Sequence, residues 1–276
     1  MKIKILGSGG FLPIPRAGCR CKICNQARRK GWPLKRHGPA LFIEEISTLI
    51  DTPEDINDSL NFNKIEKIEN IFYTHWHPDH TLGFRIVESL QENEFFTKKK
   101  KPINIHIPAY DFNNFKKFVP GLWYFETKGY IKIKKITPKG IQIKNILIKP
   151  VRLNNSTFSA YHLKQGKKQV LLCPDHSMDL PIKKEFQKID ILVMNMGFFE
   201  DNVKGAKILP ANHRIRQFTG FDRDNLRIIK ALNPNAVFFV HIEDKYNRTN
   251  SDLIKLQKKY QDYNIKFAVD AESINI

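Results

Sequence analysis

No apolar run in this 276-residue sequence approaches the roughly 20 residues that a membrane-spanning helix needs, and no repeat, linker or low-complexity tract divides it. The start MKIKILGSGG reads as a first strand rather than a signal peptide, so the expectation is a soluble, cytoplasmic protein. Cysteine is scarce. Of four residues, three crowd into Cys19, Cys21 and Cys24, which excludes a disulfide framework and suits thiolates on a metal in a reducing compartment. The fourth, Cys173, follows Val170-Leu171-Leu172 and reads as a core residue. Acidic residues are the minority, 28 against 46 Lys and Arg, for a net charge of +18. The lysines are scattered through Lys98–Lys101, Lys132–Lys135, Lys167–Lys168 and Lys258–Lys259, without the interleaved aromatics of a single-strand stacking platform. The charge therefore leaves a nucleic-acid partner open without requiring one, and favours anionic substrates. The turn Gly7-Ser8-Gly9-Gly10 allows close backbone approach but lacks the Lys and Ser/Thr of a phosphate loop.

What the chain does contain is His75-Trp76-His77-Pro78-Asp79-His80, directly after the apolar run Ile71-Phe72-Tyr73. If Asn70–Thr74 is extended, the period of two sends His75 and His77 to the same side, so that both imidazoles can meet one cation. Pro78 ends the strand and presents Asp79 and His80 from a tighter turn, displaced from the first pair, which suits a second cation. Three imidazoles and a carboxylate favour zinc, manganese or iron over magnesium or calcium.

This hexapeptide resembles the signature of the metallo-β-lactamase fold hydrolases. Residues 6–24, from Leu6-Gly7-Ser8 to Cys19-Arg20-Cys21-Lys22-Ile23-Cys24, resemble the cyclic phosphodiesterases of phosphonate-degradation operons, whose Cys-x-Cys-x-x-Cys loop holds a structural zinc. The resemblance runs in order along nearly the whole chain. It implies an αββα two-sheet sandwich over residues 1–276, whereas periodicity alone gives a mixed α/β domain. It also implies hydrolysis of a small, cyclic phosphodiester by a hydroxide activated on two divalent metals, zinc or manganese.

The remaining site residues follow from the same resemblance. Asp175, after the strand ending at Cys173, is expected to bridge the two metals, since a carboxylate offers an oxygen to each. His241, closing Ala236–Val240, is expected as the last histidine ligand. Asn155 stands where the family carries another histidine, so the cation held by His75 and His77 is expected to bind less tightly, with His162 and His176 nearby in sequence. Cys19, Cys21 and Cys24 staple the loop 17–37 around a zinc whose fourth ligand is expected at Asp244, with His37 as the other candidate. His213 matches the proposed acid at the leaving group, with Asp79 beside the metals, and Arg214 and Arg216 are placed to grip a phosphate. Asp51 is expected to orient a ligand imidazole from behind. His106 reads as a surface or packing residue. Two other readings stay open: a tRNA 3′-processing type of endoribonuclease, and a non-catalytic binding protein of the same fold. A homodimer is compatible with either.

A coarse pass predicts strands at Lys2–Leu6, Leu41–Glu44, Ser47–Ile50, Asn70–Tyr73, Asn104–Ile107, Tyr130–Ile136, Ile141–Lys149, Thr157–Leu163, Gln169–Cys173, Asp190–Asn195 and Ala236–His241. Helices are predicted at Leu82–Gln91, Pro181–Gln187, Arg223–Leu232 and Ser251–Tyr263, the last with Ser251 as N-cap.

Overall fold

The computed structural model describes residues 1–91, 101–154, 156–201 and 210–276; Asn155 and Lys98 to Lys100 lie outside them. Among the described residues, fourteen strands form two seven-stranded sheets. Strands β1 (Lys2–Gly7), β2 (Ala40–Ile43), β3 (Thr48–Ile50), β4 (Asn70–Phe72), β5 (Ile103–Pro108) and β6 (Ile131–Ile136) build the first. The second takes β7 (Ile141–Ile143), β8 (Ile146–Arg152), β9 (Ser159–Gln165), β10 (Lys168–Cys173), β11 (Ile191–Asn195), β12 (Ala236–Val240) and β13 (Ile265–Phe267). The last strand, β14 (Ser273–Asn275), returns to pair antiparallel with β1. Each sheet is antiparallel at its start and parallel afterwards, β3 through β6 in one and β10 through β13 in the other. The parallel halves explain the composition of their strands. In β11 and β12, covered on both faces, nearly every residue is apolar and buried.

Three apolar layers result. Ile3, Ile5, Ile43, Phe72, Tyr161, Leu172 and Val193 fill the space between the sheets. Outside the first sheet, Leu49, Ile71 and Ile105 meet Leu60, Phe115 and Leu122, carried by the helices α2 (Ile56–Phe62), α5 (Phe112–Phe118) and α6 (Gly121–Thr127). Outside the second, Leu192 and Phe239 meet Ile228, Ile229 and Leu253 from α7 (Leu226–Leu232) and α8 (Asn250–Lys259). This is the expected sandwich with helices on both outer faces. The alternating strand β6 is a sheet edge, where exposed Lys132 and Lys135 discourage pairing with another chain.

Several boundaries differ from the prediction. The stretch Ile141–Lys149 is a hairpin, β7 and β8, because Lys144 takes a left-handed turn at φ 51°. Pro181–Gln187 forms only a short 3₁₀ turn at Lys184–Phe186. The segment after the histidine run is a 3₁₀ turn (Leu82–Arg85) leading into α4 (Ile86–Gln91), and Arg223–Leu232 begins with a π-type turn at Phe221–Asn225. Helix α8 is capped by Thr249, not Ser251, and ends at Lys259. Thr249 and Asp252 bond each other's backbone N–H groups in a capping box, which places Ser251 inside the first turn. Helix α1 (Lys22–Lys30), inside the cysteine loop, and α2, α5 and α6 were not predicted.

Candidate metal centres at the carboxyl ends of the strands

The chain gathers its ionisable side chains where the parallel strands end, the usual place for a site in such sheets. Asp51 follows β3, the histidine run follows β4, Asp175 follows β10 and His241 follows β12. Asp51 and His241 are left-handed, with φ of 63° and 55°, conformations that cost non-glycine residues energy and cluster at functional sites. Pro78 opens the short helix α3 (Pro78–Thr81), turning Asp79 and His80 back toward the strand end. Gly10 is required here. A Cβ on it would lie 2.5 Å from His241 Nδ1 and 2.6 Å from Glu243 Cγ.

The buried nitrogens His75 Nε2, His80 Nε2 and His241 Nε2 have no hydrogen-bond partner, yet all three face carboxylates. His75 Nε2 and His80 Nε2 lie 3.7 and 3.8 Å from Asp175 Oδ2. His80 Nε2 is 3.2 Å and His241 Nε2 3.7 Å from Asp79 Oδ2, and His241 Nε2 is 3.9 Å from Asp175 Oδ1. Ligands held at about 2.1 Å in a tetrahedron are separated by about 3.4 Å, so these spacings are those of atoms around a shared cation. Two overlapping groups emerge, His75, His80 and Asp175, then Asp79, His80 and His241, with Asp175 reaching toward the second as well.

The other ring nitrogens explain the orientation. His80 Nδ1 is 2.8 Å from Asp51 Oδ2, and His241 Nδ1 is 3.5 Å from Glu243 Oε1. His75 Nδ1 lies 3.1 Å from Thr74 Oγ1, which donates to Asp51 Oδ2 at 2.7 Å, so Thr74 can accept a proton's hydrogen bond from His75. Each Nδ1 thus has an acceptor for its hydrogen, and in the neutral ring the Nε2 lone pair faces the centre. Electrostatics agree. Burial, followed by the neighbouring His80, pushes His75 well below its ordinary pKa and keeps it neutral. Burial opposes charging His80 and His241, but the carboxylates outweigh it. Asp79 and Asp51 hold His80 well above its ordinary value, and Asp175 and Asp79 lift His241 to about 10. Asp79 and Asp175 stay below the carboxylate range, because the imidazoles outweigh the burial that would raise them. Such a cluster attracts positive charge, which a divalent cation supplies as well as protons do.

His77 lies beside this cluster without joining either group. Its ring centroid is 4.5 Å from that of His75, and it lines a cavity of about 270 Å³. Asp79, Asp175 and His241 form the cavity's ionisable floor; Phe11, His176, Phe218, Lys245 and Tyr246 are among its walls. Phe158 packs on His75, His77 and His176, with ring centroids 4.1, 5.0 and 4.5 Å away. His213 and Arg214 are not among the lining residues. His213 begins the turn Arg214–Gln217, its Nδ1 accepting from the Ile215 N–H, and Arg216 is ion-paired with Glu200 at 2.6 Å. His162 bonds Gln169 and His106 bonds Asn70, both as buried packing residues away from the centre.

A second cluster joins Cys19, Cys21, Cys24 and Asp244. The three sulfurs lie 3.3, 3.4 and 3.6 Å from one oxygen, Asp244 Oδ2. Metal–sulfur bonds of about 2.3 Å and a metal–oxygen bond of about 2.0 Å give tetrahedral S···O edges of about 3.5 Å, so the four donors fit a zinc-sized ion. Arg16 Nη2 stands 3.4 Å from Cys19 Sγ and 3.3 Å from Asp244 Oδ2. His37, the other candidate for this site, is instead held between Asp58 and Asp270.

With this geometry in hand, the family is plain. Residues 48–242 match the beta-lactamase superfamily domain, and the chain belongs to that superfamily. Among solved structures it is similar to a diphosphatase of the PhnP family, with a TM-score of 0.72 and 20% identity over 99% of this chain and 96% of that one. Zinc-bound PqqB from Methylobacterium extorquens gives 0.72 at 13% identity, covering all of both chains. The short form of human tRNase Z gives 0.66 at 15% identity, over 100% of this chain and 99% of that one. A search of curated protein sequences finds no match. The fold is therefore that of the metallo-β-lactamase hydrolases, and the fold family implies divalent metal binding. Among the described residues, no helix is long and apolar enough to cross a membrane.

Proposed function

We propose that the protein is a metal-dependent phosphodiesterase acting on a small anionic phosphodiester, with His75, His77, Asp79, His80, Asp175 and His241 as ligands for two divalent cations, zinc or manganese. The observation that carries this is the convergence of three buried, otherwise unpartnered Nε2 atoms on Asp79 and Asp175 at the floor of a cavity. When bound, the cations supply the charge that activates water and offsets the developing charge on the phosphoryl oxygens.

The protein's own residues do the rest. Asp51, Glu243 and Thr74 fix three imidazoles in the tautomer that presents Nε2. Phe158 shields the His75 side of the centre from water. Lys245, lining the cavity and held by Glu243 at 2.7 Å, offers a cation for a phosphoryl oxygen. The volume of about 270 Å³ falls just below the roughly 300–1,000 Å³ usual for small-molecule pockets, which supports a small substrate over a polymer. His213 as leaving-group acid remains a proposal, tested by His213→Ala. Cys19, Cys21, Cys24 and Asp244 hold a structural zinc in the same reading.

The test is hydrolysis of a bis-aryl phosphate and of a ribose 2′,3′-cyclic phosphate with manganese or zinc supplied. Turnover that His80→Ala abolishes supports the assignment. Absence of turnover with both cation sites filled sinks it, and salt-sensitive cleavage of intact tRNA in its place reassigns the site to RNA processing.

A further inference from the structure

The cavity's polar floor faces an aromatic rim that the reaction itself does not use. Phe11 and Phe218 are 54% and 46% exposed, and both line the cavity. Isolated exposed apolar side chains are ordinary on a protein surface, and Phe62, Phe118 and Ile254 are further examples. Phe11 and Phe218 differ from these in lining the cavity together around one ammonium. They share one cation, Lys245 Nζ, which lies 5.9 and 5.7 Å from their ring centroids and 5.2 Å from that of Tyr246. The backbone is fixed at Phe218 and close to Phe11. The Phe218 carbonyl accepts from Arg223 Nη2 at 2.8 Å and its N–H donates to the Ile215 carbonyl at 3.0 Å. Phe11 follows Gly10, pressed against His241, and the preceding Ser8 carbonyl accepts from the Ile242 N–H. Both rings are therefore partly exposed along the wall of the cavity that also holds Asp79, Asp175 and His241.

Resting on the phosphodiesterase reading, we propose that Phe11, Phe218 and Lys245 form a subsite for the planar base of a nucleoside phosphodiester, so that the preferred substrate is a nucleotide rather than a bare sugar or glycerol phosphate. A base is an uncharged π surface carrying carbonyl and ring-nitrogen acceptors. Phenyl faces stack on it whatever its identity, and an ammonium at the rim meets its acceptors or the adjoining phosphate. Because Lys245 is also ion-paired with Glu243, which contacts His241 Nδ1, filling this rim touches the same side chain that orients a floor histidine. Phe11 and Phe218 act as positioning residues in this scheme, without contact to the reacting phosphorus, while Lys245 links the base subsite to the phosphate.

The experiment compares adenosine 2′,3′-cyclic phosphate with ribose 2′,3′-cyclic phosphate on the metal-loaded full chain, as wild type, as Phe11→Ala/Phe218→Ala and as Phe218→Tyr. The wild-type kcat/KM is expected to favour the base-bearing substrate by roughly ten-fold or more. The double variant is expected to bring that ratio near one, mostly through KM, while Phe218→Tyr preserves it. Binding of adenosine 2′-phosphate against ribose phosphate, followed by calorimetry, reads the same ratio without turnover. If neither substrate is hydrolysed yet the binding preference is present and lost in the double variant, the phosphodiesterase reading fails and the base subsite stands. An equal ratio in wild type and double variant, in both assays, overturns the subsite.

Discussion

The two candidate metal clusters use the same construction and differ in how far they close. Each takes a contiguous run, His75 to His80 or Cys19 to Cys24, and completes it from the short segment after β12, with His241 in one case and Asp244 in the other. The thiolate cluster is closed. Four donors surround one point, three of them on a single oxygen contact each, and Arg16 balances the negative charge from outside. The imidazole cluster is open. Its donors overlap in two groups, and Asp79, Asp175 and His241 remain on the wall of a cavity. A filled tetrahedron of soft ligands can staple a loop but offers nothing to a substrate, whereas an unfilled N/O set retains positions for one. Geometry of closure, more than the presence of metal-binding residues, separates a structural from a catalytic role.

The largest expected effect breaks the open centre. His80 belongs to both groups, so His80→Ala should lower phosphodiester hydrolysis by about 10³-fold or more while leaving a folded protein by circular dichroism. A variant that keeps most of its activity would mean that the two groups do not act as one centre. Breaking the closed cluster should do the reverse. Cys21→Ser or Cys24→Ala is expected to remove one equivalent of zinc per chain by elemental analysis and to lower Tm by about 5–10 °C. Activity should fall less than in His80→Ala, and an unchanged Tm would show that the cluster staples nothing.

How far the sequence carried these assignments follows from where the residues sit. The HxHxDH run and the cysteine loop were legible because their donors are neighbours in the chain and their spacing has a chemical meaning. Asp175, His241 and Asp244 were reached only through the family resemblance, since nothing local marks an aspartate after Cys173 or a histidine after Val240 as facing a cavity. Glu243 and the rim residues Phe11, Phe218 and Lys245 carried no signal at all, being single loop residues brought together by the fold. Strands were legible where burial makes them apolar throughout, as in β11 and β12. Helix α1 was not, because only Cys24 and Ala27 of its nine residues are buried and its first turn overlaps the cysteine loop.

A smaller effect sharpens the comparison from outside the ligand set. Asp51 accepts from the Thr74 N–H at 2.8 Å and from its hydroxyl, and meets His80 Nδ1. Asp51→Asn keeps the shape but weakens the hold on the tautomer. It should reduce activity and metal affinity together by about 10–100-fold, measured by kcat/KM and by metal titration. A loss of activity at full metal affinity would show that Asp51 acts on something other than ligand orientation.

The smallest effect concerns an imidazole that the fold treats as a cation in its own right. His37 is buried, with Nε2 2.9 Å from Asp58 Oδ2 and Nδ1 3.1 Å from Asp270 Oδ2. Both ring nitrogens face carboxylates, as do those of His80 and His241, but among the described residues neither Asp58 nor Asp270 belongs to a group that could hold a metal. Burial alone would lower its pKa, but Asp270 and Asp58 outweigh burial and hold it above the ordinary value of 6.5. A raised folded-state pKa means that the ion pair contributes fully below pH 6.5 and that its contribution is lost as pH rises through the folded-state value. Asp58 moves the other way, lowered by His37 and Lys35, so its share is lost only as pH falls below the carboxylate range. Tm should therefore fall more steeply between pH 6.5 and 9 in the wild type than in His37→Gln, by a few degrees. Parallel curves for the two proteins would mean that His37 is neutral when folded, and that Asp58 and Asp270 do not hold it as a cation.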